Sequence, residues 1–462
     1  MAIESKPVAS NVTRTEPDIA EAEVINNAEV NKNFNTLSAL SLAVSLMATW
    51  ETVCSTIGSG LLSSHRTKAA WSWVSGWLTV LAWLFLTASA PFGAGNLIQG
   101  LLTLNYPEYV PQRWHGTMLY WAVLVVGFLV NLYGARLLPH IENLMMAFHL
   151  LFFFIIFVSI LALSPTRNPA AFVFGEFQNN TGWGSDGIAW SLGMVTAAYA
   201  MVGYDSATHL SEEMKTPRMT VPRAMVGSLV INASMGFALL IAILFCMGDL
   251  QEALSTNTGF PIIQIFYHIT GGSLAGTGAS TCAIILSASG ATIGLMASTS
   301  RTLWAFARDG APPFSHWLSQ ISPRFKVPTN SVICVFGLLA LLGLLNIVST
   351  TAFTAVLSLT VESLALSYLN PIVMLIYRRI RSPEDLVYGP WRLPNTISLG
   401  SGVIAVLYNC YICIFLIFPP FQPVTAQNMN YAGVVLGGVL LLVTIRWFAG
   451  AHKIYNGPRV PL

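Results

Sequence analysis

The sequence predicts an all-α polytopic membrane protein, and three observations carry that reading. Hydrophobic residues make up 54% of the 462 and Asp, Glu, Lys and Arg only 9%, whereas a soluble domain is about a quarter charged. Apolar runs of about 18 residues or more, the length that crosses a hydrocarbon core, recur from end to end. The remaining charges gather in the loops between them, mostly on one side of an alternating topology.

In chain order, residues 1–36 come first, a polar, acid-rich stretch with no apolar core. They read as a disordered cytoplasmic tail rather than a signal peptide. Residues 37–448 form the transmembrane domain and 449–462 a cytoplasmic C-terminal tail. Eleven apolar segments divide the domain: 38–62, 69–101, 116–133, 142–164, 188–206, 224–248, 272–307, 330–348, 351–377, 397–419 and 429–448. The second is long enough that it must tilt or overhang. The seventh is also long, and from Arg301 onward it is expected at or beyond the membrane edge.

Lys and Arg set the orientation. With the loop KTPRMTVPR (215–223) placed inside, the cytoplasmic side also holds Arg136, Arg301, Arg308, Arg324, Lys326, Arg378, Arg379, Arg381, Arg392, Arg446, Lys453 and Arg459. The opposite side holds only Arg113 and Arg167. The sequon at Asn179 falls in an outside loop, as glycosylation requires, whereas those at Asn11 and Asn232 read as chance matches. Counting back from the C-terminus raises a parity problem. Segment 69–101 must begin inside, so segment 38–62 must end inside, and its charged N-terminal tail would lie outside. Eleven crossings and two cytoplasmic ends cannot coexist. Either one crossing is missing or 38–62 does not span.

Chemistry is sought where a membrane helix is interrupted, because unwound backbone is tolerated only where it lines a cavity or is buried in protein. Two stretches qualify. STIGSGL (Ser55–Leu61) carries Gly58, Ser59 and Gly60, and AAYAMVGYDSATHLSEEM (Ala197–Met214) carries Gly203 just before Tyr204 and Asp205. Broken helices in corresponding places suggest a transporter of inverted repeats. Half-helix N-termini offer N–H groups to a carboxylate, and freed carbonyls accept from an ammonium. The alternative is that these small residues only let helices pack closely.

VGYDSATHLSEEMKTPRMTVPRAM (Val202–Met225) resembles the sixth-helix exit of the amino acid–polyamine–organocation superfamily, in particular the fungal amino acid/choline (GABA-type) permeases. SRTLWAFARDGAPPFSHWLSQISPRFKVPTNSV (Ser300–Val332) is similar to that family's loop between helices eight and nine, and TWETVCSTIGSGLL (Thr49–Leu62) to its first helix. The similarity runs from about Asn33 to the C-terminus. It implies a twelve-helix, five-plus-five inverted-repeat fold, with substrate between the first and sixth helices. Gly58, Ser59 and Gly60 would hold the substrate's carboxylate or polar end, Tyr199 and Val202 would line the pocket, and Tyr199 or Tyr204 would add a cation–π attraction of about 0.5–2 kcal/mol. Asp205 falls where related exchangers carry an acidic gate or proton-sensing residue; the plainer reading is a helix-end carboxylate in an aqueous vestibule. The sequence departs from the family in one place. After the first-helix glycines, members continue with a turn, a second half-helix and an entire second helix. Here SSHRTKAAWSWVSGW resembles the loop leading directly into the third helix. Parity and resemblance thus point to one gap, a deletion near residues 62–65.

Three further residues are candidates for proton coupling. His149, mid-segment in MMAFHLLFFF, could titrate near where proton-coupled relatives carry a lysine, or be a hydrogen-bonded structural histidine. Glu51 and Glu362 lie inside apolar runs and either couple to protons or are paired within the bundle. Glu212 and Glu213 with Lys215, Arg218 and Arg223 read as a cytoplasmic gate or topology signal, as do Arg301, Arg308 and Asp309.

Enzyme classes fail on inventory, since there is no H-E-x-x-H, no G-x-S-x-G and no Gly-rich phosphate loop with its Lys. The six cysteines fall in apolar runs and make no disulfide framework, and Cys410 and Cys413 read as a helix- or lipid-facing pair. No basic tract with interleaved aromatics suggests nucleic acid, and neither cofactor nor metal is expected. The expectation is a secondary transporter of amino acids, GABA, choline or polyamines, energised by protons. Its membrane is the plasma membrane, with the vacuolar membrane as alternative. The rival is a transport-deficient variant or a nutrient-sensing membrane protein.

Overall fold

A computed structural model describes residues 37–40, 65–348, 352–386, 393–426 and 428–457. Among these the chain is helical with no strand. The long helices are α1 (His65–Asn105), α2 (Arg113–Tyr133), α3 (Leu138–Leu163), α4 (Asp186–Ala200), α6 (Pro217–Cys246), α8 (Leu274–Arg308), α9 (Thr329–Gly343), α10 (Ala352–Arg381), α11 (Asn395–Phe415) and α12 (Ala432–Arg446). Two shorter ones are α5 (Ser206–His209) and α7 (Pro261–Ile269). Nine of the described helices are long and apolar enough to cross a membrane. Of the eleven expected segments, 38–62 lies almost wholly outside the described residues, and 188–206 is a helix that stops at Ala200.

Several helices start before their apolar runs do. α1 begins at His65, so His65–Lys68 is helix rather than the loop expected from SSHRTK. HRTKAA contains no Gly or Pro to stop the helix, and hydropathy marks only its lipid-embedded part. At 41 residues α1 is about 60 Å long, roughly twice the hydrocarbon thickness. It is also the most deeply buried of the spans, packed chiefly on α8 and α10.

Lipid is as apolar as Leu, so close approach and interhelical hydrogen bonds hold the bundle together. Gly95 of α1 lies against α2, where a Cβ would come 3.0 Å from the Tyr120 amide nitrogen. Thr87 and Thr299 join hydroxyls at 2.6 Å between α1 and α8, and Thr299 Oγ1 also donates to the Trp83 carbonyl at 3.0 Å. From α2, Asn131 donates to the Ile293 carbonyl of α8 at 2.9 Å, and Tyr120 to the Leu339 carbonyl of α9 at 2.7 Å. Outward faces carry exposed apolar residues such as Leu151, Phe154, Ile155 and Val158 of α3, the surface a bilayer covers. At one end of the bundle, Trp73 is buried among Trp77, Phe306, Trp447 and Tyr455, tying α1 and α8 to the C-terminal segment.

Candidate functional site

The chain leaves helical geometry at Met201, where the amide still reaches back to the Ala198 carbonyl at 3.1 Å. Gly203 then takes φ +98°, a region open to glycine and costly for side chains. Its carbonyl accepts the Ser206 amide at 3.0 Å, and the carbonyl of Asp205 accepts both the amide (2.8 Å) and hydroxyl (2.6 Å) of Thr208. One turn of helix, α5, follows, then a 3-10 turn at Ser211–Glu213. The expected break is present and is centred on Gly203.

Asp205 is 2% exposed, so it is not a helix-end group in an open vestibule. Its Oδ2 accepts from the Trp83 indole of α1 at 3.3 Å and faces His209 Nε2 at 3.2 Å, one turn on. The His209 ring stands edge-on to Trp83, with centroids 4.6 Å apart. Oδ1 is buried and has no hydrogen-bond partner. Tyr204 and Tyr368 of α10 lie 5.9 Å apart by ring centroid, and the Tyr368 hydroxyl is buried with no hydrogen-bond partner among the described residues. Val202, Tyr204 and Tyr368 line a cleft with Ala198, Tyr408 and Asn409. Its volume, about 40 Å³, has room for a few waters, whereas small-molecule pockets run to about 300 Å³ or more.

Just after the break, two adjacent acids are held by α8. Glu213 pairs with Arg301 at 2.9 Å, and both are buried; Glu212 pairs with Arg308 at 2.8 Å near the surface. Arg301 thus lies inside the helix bundle. It is buried at 3% exposure because Glu213 reaches it from the turn after the break.

Of the expected site residues, Val202 and Tyr204 line the cleft, and Asp205 is buried next to them without lining it. Tyr199 lies one turn earlier, its hydroxyl bonded to Ser89 of α1 at 2.6 Å. His149 lies apart, hydrogen-bonded through Nε2 to Asn232 Oδ1 of α6 at 3.0 Å. Glu362 is buried on α10 with Oε2 unpartnered among the described residues, and it is not among the cleft-lining residues. Glu51, Gly58, Ser59 and Gly60 lie outside the described residues. Asn179 sits in the loop before α4, its amide donating to the Trp183 carbonyl at 2.8 Å and its Oδ1 accepting from the Thr181 hydroxyl at 2.7 Å. Sequence reasoning missed Trp83, His209 and Tyr368. Only His209 left a signal, its i+4 spacing from Asp205.

A bundle of lipid-exposed helices with one helix broken at a buried acid has the architecture of a multi-pass membrane transporter. The chain belongs to the amino acid permease family, whose sequence profile it matches over residues 41–440. Its relatives are fungal. It is 34% identical to a Macrophomina phaseolina protein provisionally named an amino acid/polyamine transporter, covering 80% of this chain and 82% of that one. It is 32% identical to a choline transporter of Saccharomyces cerevisiae, covering 81% of this chain and 65% of that protein, so it spans just under two thirds of that relative. Amino-acid permease 2 of Neurospora crassa is 28% identical over 84% of this chain and 70% of its own length. A manganese transporter of Eremococcus coleocola, solved by crystallography, shares the fold at TM-score 0.50 and 15% identity, covering 92% of this chain and 90% of that one.

Proposed function

We propose that the chain is a secondary transporter of small cationic or zwitterionic amines (amino acids, GABA, choline or polyamines), driven by proton symport. The observation that supports this reading most is Asp205. A buried carboxylate with one oxygen unpartnered among the described residues, at a helix break beside the Tyr204–Tyr368 pair that lines the cleft, would offer an ammonium both charge and aromatic faces. Its other oxygen, on Trp83 and His209, connects the break to α1. The small size of the described cleft fits a site whose remaining wall comes from the first helix, with Gly58, Ser59 and Gly60 taking the substrate's polar end. No nucleotide-binding motif supplies energy, so a gradient must. The plasma membrane is the proposed location, with the vacuolar membrane as alternative.

The join at residues 62–65 favours a second reading, a variant that transports poorly or a membrane nutrient sensor. Losing one helix leaves the topology with an odd number of crossings. The test is uptake of labelled choline, GABA and amino acids by permease-deficient cells. It would compare this chain with a version carrying an apolar helix inserted between Leu62 and His65. We expect weak or no uptake by the 462-residue chain. The restored chain should show saturable uptake that a protonophore abolishes and Asp205→Asn greatly lowers at equal surface expression. Robust uptake by the unmodified chain would overturn the second reading. No uptake by either would overturn the first.

A further inference from the structure

Glu142 lies in the second turn of α3, at the end assigned to the cytoplasmic side, and is 1% exposed. Neither carboxyl oxygen has a hydrogen-bond partner among the described residues. Its neighbours in sequence, Leu138 and Ile141, belong to the apolar cluster that holds Ile293 and Ala297 of α8. One turn further along, Met145 covers Gly290 of α8 so closely that a Cβ there would come 2.1 Å from its sulfur. The charged and titratable groups of the packed elements are engaged elsewhere. Arg301 and Arg308 of α8 hold Glu213 and Glu212, His268 of α7 meets Thr166, and His149 meets Asn232. Arg136, His140, Arg218 and Arg223 form no ion pair with it. A bare carboxylate in such a place would lose its hydration and gain nothing in return.

We propose that Glu142 is a proton-binding site of the transport cycle. It holds its proton while α3 is closed on α8 and releases it to cytoplasmic water as the two helices part. The carboxylic acid becomes a carboxylate, the proton goes to water, and the separated helices supply the hydration that the anion needs. A group whose charge depends on helix separation couples a proton gradient to that motion, because the two arrangements differ in proton affinity. This rests on the transporter reading and names a residue that would take the coupling proton.

Infrared difference spectroscopy on the full chain in lipid at neutral pH tests the site without requiring transport. The spectrum of the unmodified chain minus that of Glu142→Gln is expected to show a carboxylic-acid C=O band, separable from the band removed by Glu362→Gln. Gln mimics the protonated acid, so Glu142→Gln should keep its thermal midpoint. In the transporting form, Glu142→Gln should still exchange substrate but lose its acceleration by an inward proton gradient, and Glu142→Asp should restore part of it. No acid band, a sharply lowered midpoint for Glu142→Gln, or gradient-driven uptake that survives the substitution would each overturn the proposal. A chain with the band and no uptake in any form loses the transporter reading but keeps the protonated carboxyl. A transporting chain without the band loses only this proposal.

Discussion

Gly203 turns the backbone at φ +98°, and every side chain except glycine's pays for that geometry. Gly203→Ala should lower stability by about 1–3 kcal/mol, measurable as a reduced unfolding midpoint in detergent or nanodiscs. A variant as stable as the parent would show that the backbone there is not constrained. The run GYD was legible because an acid beside a glycine stands out within an apolar stretch. Its partners were not. Trp83 lies more than a hundred residues upstream, inside an unremarkable run, and Tyr368 on α10 looks like any aromatic of a membrane helix. Glu142 was hidden for another reason. It opens an apolar segment, where a carboxylate ordinarily faces water, and only packing buries it.

Where an element ends depends on what lies beside it. The last turns of α8 hold the segment that leaves the broken helix. Arg301 binds Glu213 with both side chains buried, whereas Arg308 and Glu212 are partly in water. Arg301→Ala leaves Glu213 as an unpaired buried charge and should cost about 3–5 kcal/mol. Arg308→Ala breaks a screened pair and should cost at most about 1 kcal/mol. Parallel unfolding curves with a double substitution at 213 and 301 would check this, since removing both charges should recover most of the loss. Equal effects at 301 and 308 would contradict the difference in burial. Helix existence was legible throughout from apolar run length, and starts were not. α1 and α6 begin four and seven residues before their apolar runs, where polar residues extend the helix beyond the lipid.

Across the whole molecule, topology is the testable quantity. If the loop before α4 is outside, expression in a glycosylating host should give a band that shifts on glycosidase treatment and disappears in Asn179→Gln. No shift would argue for the opposite orientation or an inaccessible sequon, and cysteine labelling of the same loop separates the two. The uptake comparison with an inserted helix belongs at this scale as well, because parity is a property of the complete set of crossings. The sequence by itself determined the membrane class, the nine long apolar helices described and the site of the helix break. Hydropathy, charge bias and glycine interruptions are local, and one chain displays them without its neighbours. Only the tertiary structure decided which charges are buried and what meets them: Asp205 with Trp83 and His209, Glu213 with Arg301, and Glu142 with no hydrogen-bond partner among the described residues. Burial of a charge depends on helices far apart in the chain, and no pattern within one segment encodes it.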